Sequence, residues 1–201
     1  MAGMISSQNC NVSLAVDAAS FHLEKYYTKA VHYTLVVAIL TFVQILLLIK
    51  QIEGTSTPAT SMRVSMFSIS QQTVMDAYLC LLHLTAGIVV EPLFNAFAMV
   101  AFFEFVLFAI FEMRFMLLVW RAQRGQSNDP WDTRRELSML YTRFYGVLLG
   151  GILVAFKLQQ YMRGFVFLLY SFWIPQVIHC IRSDLRQPLK PFFVIGTSIT
   201  R

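Results

Sequence analysis

The sequence is poor in the residues from which soluble enzymes and zinc domains are built. Only 13% of its 201 residues are charged, whereas a soluble domain typically carries about 25%. It contains three cysteines, Cys10, Cys80 and Cys180, and four dispersed histidines. The cysteines form no pair at metal-binding spacing and indicate no disulfide framework. These shortages argue against a soluble enzyme and predict no metal or cofactor site in this chain.

Several familiar motifs are also missing from the sequence. It has no phosphate-binding glycine loop, no dinucleotide fingerprint and no H-E-x-x-H zinc motif. No Ser, His and acid set stands out for nucleophilic catalysis. Residues 1–20 lack the basic and apolar regions of a secretory signal. The net charge of +5 is interpreted loop by loop as membrane topology, and we predict no nucleic-acid partner.

Long apolar runs dominate what remains. The chain is 57% hydrophobic, with a mean hydropathy of +0.59, and about 20 apolar residues suffice to cross a hydrocarbon core of roughly 30 Å. We predict an all-α polytopic membrane helix bundle with about five full transmembrane helices and the start of a sixth. The helices are expected near 30–49, 71–90, 93–120, 137–156 and 164–181, with a partial helix from 192.

The remaining N-terminal part, residues 1–29, is predicted to be a juxtamembrane segment ahead of the transmembrane domain, residues 30–201. Val12, Leu14 and Val16 alternate there like a short strand. Asn11 begins an Asn-Val-Ser triplet, which is a glycosylation acceptor if this end is lumenal.

The second predicted helix carries ionisable residues on one face and organises the rest of the chain. Asp76, Cys80 and His83 follow one another at helical spacing. A carboxylate at mid-membrane costs roughly 2.5 to 3.5 kcal/mol on insertion scales. This helix is therefore expected to face other protein. Its polar face is either satisfied by neighbouring groups or is a site for an ion, a proton or a substrate.

The third predicted helix adds further candidates for an intramembrane polar site. Glu104 is a candidate partner for protonated His83 or for Arg143, and Arg114 is included in the site. Asp76 is expected to pair with His83 or with a basic group from a neighbouring helix. The candidate site is therefore Asp76, His83, Glu104 and Arg114.

Two further motifs concern helix geometry. Gly146 and Gly150 form a G-x-x-x-G pattern, extended by Gly151, which predicts close helix packing within the chain. Pro175 lies inside the fifth predicted helix, next to Gln176, and is expected to kink it.

Three blocks of the sequence resemble a known family over about residues 29–201. They are VSMFSISQQTVMDAYLCLLHLTAGIVVEPLFNAFAMVAFFEFVLFAIFEMRF, RRELSMLYTRFYGVLLGGILV and LLYSFWIPQVIHCIRSD. They resemble the transmembrane region of the flying-saucer-type RING ubiquitin ligases of plants. These ligases are similar to the transmembrane ligase of the fungal Golgi DSC complex.

The resemblance implies a membrane module of an endomembrane ubiquitin ligase, at the Golgi or endosomes, that recognises or scaffolds membrane protein substrates. In that family a cytosolic RING holds two zinc ions and recruits the ubiquitin-conjugating enzyme. A RING needs eight clustered Cys or His ligands, but this chain has seven, all scattered. We interpret the chain as a truncated form that is not catalytic alone and has membrane complex partners.

A transporter is the alternative function. The Pro175-Gln176 dipeptide resembles the motif of PQ-loop transporters, in which a kinked helix assists alternating access. That motif is short, and no second Pro-Gln pair occurs in the chain.

The distribution of Lys and Arg predicts the orientation of the chain in the membrane. The N-terminal side of the predicted bundle carries four basic residues: Lys25, Lys29, Lys157 and Arg163. The opposite side carries nine: Lys50, Arg63, Arg121, Arg124, Arg134, Arg135, Arg182, Arg186 and Lys190. The positive-inside rule places the second set in the cytosol. The N-terminus is then lumenal, and the hydrophilic connector 121–136 is cytosolic.

We predict that Asn11 is glycosylated in cells, whereas the 121–136 connector is accessible to protease added from the cytosolic side. Glycosylation mapping in microsomes tests this, with Asn11→Gln as the control for the band shift. A glycan on an acceptor triplet engineered into the 121–136 connector would show the reverse orientation.

Overall fold

The computed structural model describes residues 2–7, 12–17, 23–124, 130–157, 159–183 and 189–201. Within these ranges the chain forms one β-hairpin and nine α-helices. The strands are β1, Ala2–Ser7, and β2, Val12–Asp17. The helices are α1, Leu23–Gly54; α2, Pro58–Ser61; α3, Met66–Val89; α4, Phe94–Val106; α5, Met113–Arg124; α6, Pro130–Lys157; α7, Met162–Tyr170; α8, Trp173–Arg182; and α9, Pro191–Thr200.

The hairpin is antiparallel, with Ala2 opposite Asp17 and Ser7 opposite Val12. Its second strand coincides with the alternation that predicted a strand from Val12. Asn11 lies outside the described residues.

The bundle is helical throughout, and the predicted all-α multi-pass architecture is confirmed. Four helical segments of the described chain are long and apolar enough to cross a membrane, and the bent pair α7–α8 raises this to as many as five. α9 is a shorter apolar helix of ten residues, at the place where the partial sixth helix is predicted. Large apolar side chains such as Phe102 and Leu153 are exposed on the outside, as lipid contact requires.

Most helices begin earlier or end later than predicted. α1 has 32 residues, or about 48 Å at 1.5 Å per residue, and so extends beyond the predicted 30–49 at both ends. α5 continues to Arg124 and α6 begins at Pro130, so both ends of the predicted 121–136 connector are helical. Proline suits the first turn of a helix because its missing N–H is not needed there. Residues 125–129 lie outside the described residues.

α3 is the central helix of the bundle. Half of its membrane span is buried, compared with 28% for α1 and 11% for α6, and it contacts α4, α5, α6, α7 and α8. Its inward face is the one that carries Asp76, Cys80 and His83, all of which are buried. The polar groups of α3 therefore face protein and avoid lipid.

The bend expected at Pro175 lies between α7 and α8. These two helices meet at 49°, and the break falls at Ser171 and Phe172. The pyrrolidine ring of a proline clashes with the carbonyl four residues earlier, which here belongs to Ser171. Gln176 is buried against the start of α3, where its Oε1 accepts a hydrogen bond from the Ser65 N–H at 2.8 Å.

The glycines of α6 do not pack as their spacing predicts. A Cβ atom added at Gly146 or Gly150 would meet nothing within 4 Å among the described residues. Only Gly151 makes a close approach, because a Cβ there would collide with the Tyr78 hydroxyl. The Tyr78 hydroxyl donates a hydrogen bond to the Leu148 carbonyl at 2.9 Å. The α3–α6 contact thus depends on Gly151, and the G-x-x-x-G face points away from the bundle.

Candidate intramembrane polar site

A polar cavity of about 170 Å³ lies inside the bundle, between α1, α3, α4 and the end of α9. Its lining comprises Tyr33, Val37, Leu40, Thr41, Gln44, Met75, Asp76, Leu79, His83, Glu104, Leu107, Tyr170, Thr200 and Arg201. Ionisable and hydroxyl groups from five helices, α1, α3, α4, α7 and α9, converge on this space. It is the structural counterpart of the polar site predicted from α3.

One half of the site is built around His83. The His83 Nδ1 lies 2.8 Å from Oε2 of Glu104, and both side chains are buried. The other ring nitrogen, Nε2, lies 3.0 Å from the Tyr33 hydroxyl. Phe97 stacks on the imidazole, with ring centroids 6.1 Å apart. His83 therefore links α1, α3 and α4 through one ring, and Glu104 pairs with it and not with Arg143.

The other half of the site is built around Arg201, which follows α9. Its Nη2 donates to Asp76 Oδ2 and, at 3.1 Å, to Glu112 Oε1. All three side chains are about 5% exposed or less. Asp76 therefore finds its partner on a neighbouring segment, and the alternative pairing with His83 does not occur.

Glu112 reaches the site because the helix is locally wound more loosely. Residues Leu107–Glu112 form a six-residue π-helical turn between α4 and α5. In a regular α-helix Glu112 would point about 80° away from Glu104, and Arg114 about 80° the other way. A π turn inserts one residue and so shifts later side chains back by about 100°. Glu112 then falls within about 20° of Glu104, while Arg114 moves to the opposite face.

The burial of these side chains follows that shift. Glu112 is 3% exposed, whereas Arg114 is exposed. Of the four residues predicted for the site, the structure brings together Asp76, His83 and Glu104, and Arg114 does not join them. Tyr33, Glu112 and Arg201 are the members that sequence patterns did not assign to it. Cys80 shares the polar face, and its Sγ donates to the Ala101 carbonyl at 3.3 Å.

The site has hydrogen-bonding capacity that the described residues do not use. Glu112 Oε2 and the Nε and Nη1 atoms of Arg201 are buried and have no hydrogen-bond partner among them. One guanidinium also faces two carboxylates. Because unpaired polar atoms are costly in a buried place, this arrangement favours binding of a group that is both a donor and an acceptor.

The site offers no grouping of ligands for a metal. Within the described ranges, no three His, Cys, Asp or Glu side chains are placed to hold an ion.

Known proteins resemble this chain over nearly its whole length. The family profile described as "Transmembrane E3 ligase/DUF2921 transmembrane domain" matches residues 22–201. The transmembrane E3 ubiquitin-protein ligase FLY2 of Arabidopsis thaliana is 53% identical over 195 residues, which are 96% of this chain and 35% of that protein. The ligase FLY1 of the same plant is 52% identical over 201 residues, which are 99% of this chain and 36% of that protein.

A more distant likeness links the chain to fungi. The DSC E3 ubiquitin ligase complex subunit 1 of Schizosaccharomyces pombe is 22% identical over 266 residues, covering 100% of this chain and 38% of that protein. No solved structure matches the chain. The chain thus spans little more than a third of the length of these curated relatives.

The two halves of the site predict which side chains are energetically coupled. In a double-mutant cycle on unfolding free energy in detergent, His83→Leu and Glu104→Leu are expected to couple by about 0.5 to 3 kcal/mol. Each single change leaves the other buried polar group unpaired, and the double change removes both.

The control is the cycle of His83→Leu with Asp76→Leu, for which a smaller coupling is expected because Asp76 bonds to Arg201. Equal coupling in the two cycles would contradict the assignment of partners.

Proposed function

Because the chain belongs to the transmembrane E3 ligase family, we propose that it is the membrane module of a RING-type ubiquitin-protein ligase of the endomembrane system. In this proposal its helices recognise or scaffold membrane proteins for ubiquitination. The two zinc ions of a RING do not fit here, since three cysteines and four histidines cannot supply eight clustered ligands. The ubiquitin-conjugating enzyme would thus be engaged outside these residues, and this chain contributes recognition.

The unsatisfied polar cavity is the observation that carries this proposal. A polar group in the membrane span of a client protein finds no partner in lipid and is costly there. Arg201 lines the cavity and has free donors at Nε and Nη1, and its partner Glu112 has a free carboxylate oxygen. A client side chain that is both donor and acceptor, such as Asn or Gln, matches this set.

The cavity also reaches the lipid-facing surface of the bundle. Tyr33 and Tyr170 line it, yet they are 51% and 50% exposed. Both hydroxyl-bearing rings thus lie at the boundary between the cavity and the surroundings. A client helix lying against α1 and α7 would present a polar side chain to the cavity between these two tyrosines.

Complex formation and location belong to the same proposal. The fungal relatives are named as subunits of a ubiquitin ligase complex, which supports membrane partners for this chain. The positive-inside distribution of Lys and Arg supports a lumenal N-terminus. We propose Golgi or endosomal membranes as its location, which the likeness to the fungal DSC complex subunits supports.

The transporter alternative gains no support from the Pro-Gln dipeptide. Gln176 bonds to the Ser65 N–H and, through Nε2, to the Arg63 carbonyl at 3.4 Å. These contacts hold α8 against the start of α3. The dipeptide thus has a packing role within the described residues.

A pair of reporter helices tests the recognition role. Two membrane reporters that differ only by Leu or Asn at mid-span are co-expressed with the chain and recovered with it by affinity purification. We expect the Asn reporter to be enriched about tenfold over the Leu reporter, since one or two buried hydrogen bonds contribute on the order of 1 to 2 kcal/mol.

The variant Glu112→Leu is expected to abolish this preference while preserving the fold, because it leaves Asp76 and Arg201 as a one-to-one pair. Arg114→Leu removes a charge from the same segment outside the cavity and should keep the preference. Equal recovery of both reporters by the wild-type chain would overturn the recognition role.

A further inference from the structure

A second and larger cavity lies on the other side of α3, between α3, α5, α6 and α7. Its volume is about 740 Å³, within the range of roughly 300 to 1,000 Å³ that is usual for small-molecule sites. It is separate from the polar site, since none of the described residues lines both cavities. Nothing in the proposed client recognition uses it.

The part of this cavity near α7 is apolar, and its polar side chains are already bonded. Phe144, Phe165 and Leu169 contribute to its wall. Gln71 Nε2 donates to the Leu169 carbonyl at 3.2 Å, and the Tyr78 hydroxyl donates to the Leu148 carbonyl. This part offers a ligand a hydrocarbon surface with little competition from unpaired polar groups.

The other end of the cavity, beside the C-terminal part of α5, is basic. The guanidinium carbon of Arg124 lies 4.2 Å from the ring centroid of Trp120, and that of Arg143 lies 5.4 Å from it. Trp120 Nε1 is buried and has no hydrogen-bond partner in the described part of the chain. Among the described side chains, no carboxylate lines this cavity. Two positively charged side chains therefore lie against the Trp120 ring, whose own N–H donor is unpaired.

We propose that this cavity binds an anionic phospholipid. Its phosphate and headgroup carboxylate lie between Arg124, Arg143 and the Trp120 N–H, and its acyl chain runs along α3 and α7 towards Phe165. The charge complementarity at one end and the hydrocarbon wall at the other match one amphiphile.

The membrane position of the cavity agrees with this ligand. On the proposed orientation, the basic end faces the cytosol, and anionic lipids are concentrated in the cytoplasmic leaflet. α6 forms one wall and is mostly exposed to lipid, so that a phospholipid can enter laterally from the bilayer.

Native mass spectrometry of the purified 201-residue chain tests the proposal. The probes are dioleoyl-phosphatidylserine and dioleoyl-phosphatidylcholine, which share acyl chains and differ in headgroup charge. We expect phosphatidylserine to bind more tightly. The double variant Arg124→Gln with Arg143→Gln should reduce its affinity by roughly tenfold or more, given the usual strength of charge-assisted hydrogen bonds.

The matched control is Arg114→Gln with Arg182→Gln, which removes the same charge from exposed positions away from the cavity and should leave the affinity unchanged. A second set of variants fills the cavity. Val147 lines the cavity, so Val147→Trp should weaken the binding of both lipids. Leu149 is exposed on the same helix and does not line the cavity, so Leu149→Trp should leave binding unchanged. This second set stands even if the double arginine variant fails to fold.

Three outcomes would overturn the proposal. The first is equal binding of the two lipids, and the second is an equal loss of affinity in the test and control variants. The third comes from a photoreactive residue placed at Val147 in cellular membranes. An adduct with phospholipid supports the proposal, whereas an adduct with a partner protein alone would assign the cavity to a helix.

Discussion

The cost of burying charge in a membrane is the constraint on which this bundle depends. Asp76, Glu104 and Glu112 are each less than 5% exposed, and an unpaired buried charge can cost several kcal/mol. Only His83 and Arg201 bond to these carboxylates through basic groups in the described chain. The positions of α1, α3, α4 and α9 are those that allow these few contacts to form.

Each pairing fixes a different part of the fold. Arg201 ties the end of α9 to α3 and to the π turn, and Gln44 adds a bond from α1 to Thr200 at 3.1 Å. His83 ties α3 to α1 and α4. Because one guanidinium serves two carboxylates, the pairing is incomplete, and this incompleteness is the basis of the proposed recognition role. A fully satisfied network would hold the helices equally well and offer nothing to a client.

The sequence predicts the helices and the inward face of α3 well, because both follow from apolar periodicity and from the cost of a charge in lipid. Glu104 is identified as a candidate partner of His83 for the same reason. The sequence prediction includes Arg114 in the site and misses Glu112, because the π turn shifts every later side chain by about 100° around the helix axis. The residue types alone do not reveal this turn. Arg201 is missed because it lies 125 residues from Asp76, and no local spacing links two residues so far apart in the sequence. The G-x-x-x-G motif places Gly146 and Gly150 on one face of α6, but it does not determine whether that face packs against another helix. Here this face points outward.

The most direct measurement is the free energy of unfolding, in detergent, of a variant in which Arg201 is replaced by methionine. Arg201→Met keeps much of the side-chain volume but leaves Asp76 and Glu112 without their cation, so we expect a loss of about 3 to 5 kcal/mol. Adding Asp76→Asn and Glu112→Gln should recover most of that loss, since the burial cost is then removed. If Arg201→Met were neutral, or if neutralising the two acids recovered nothing, buried charge pairing could not be what holds these helices together.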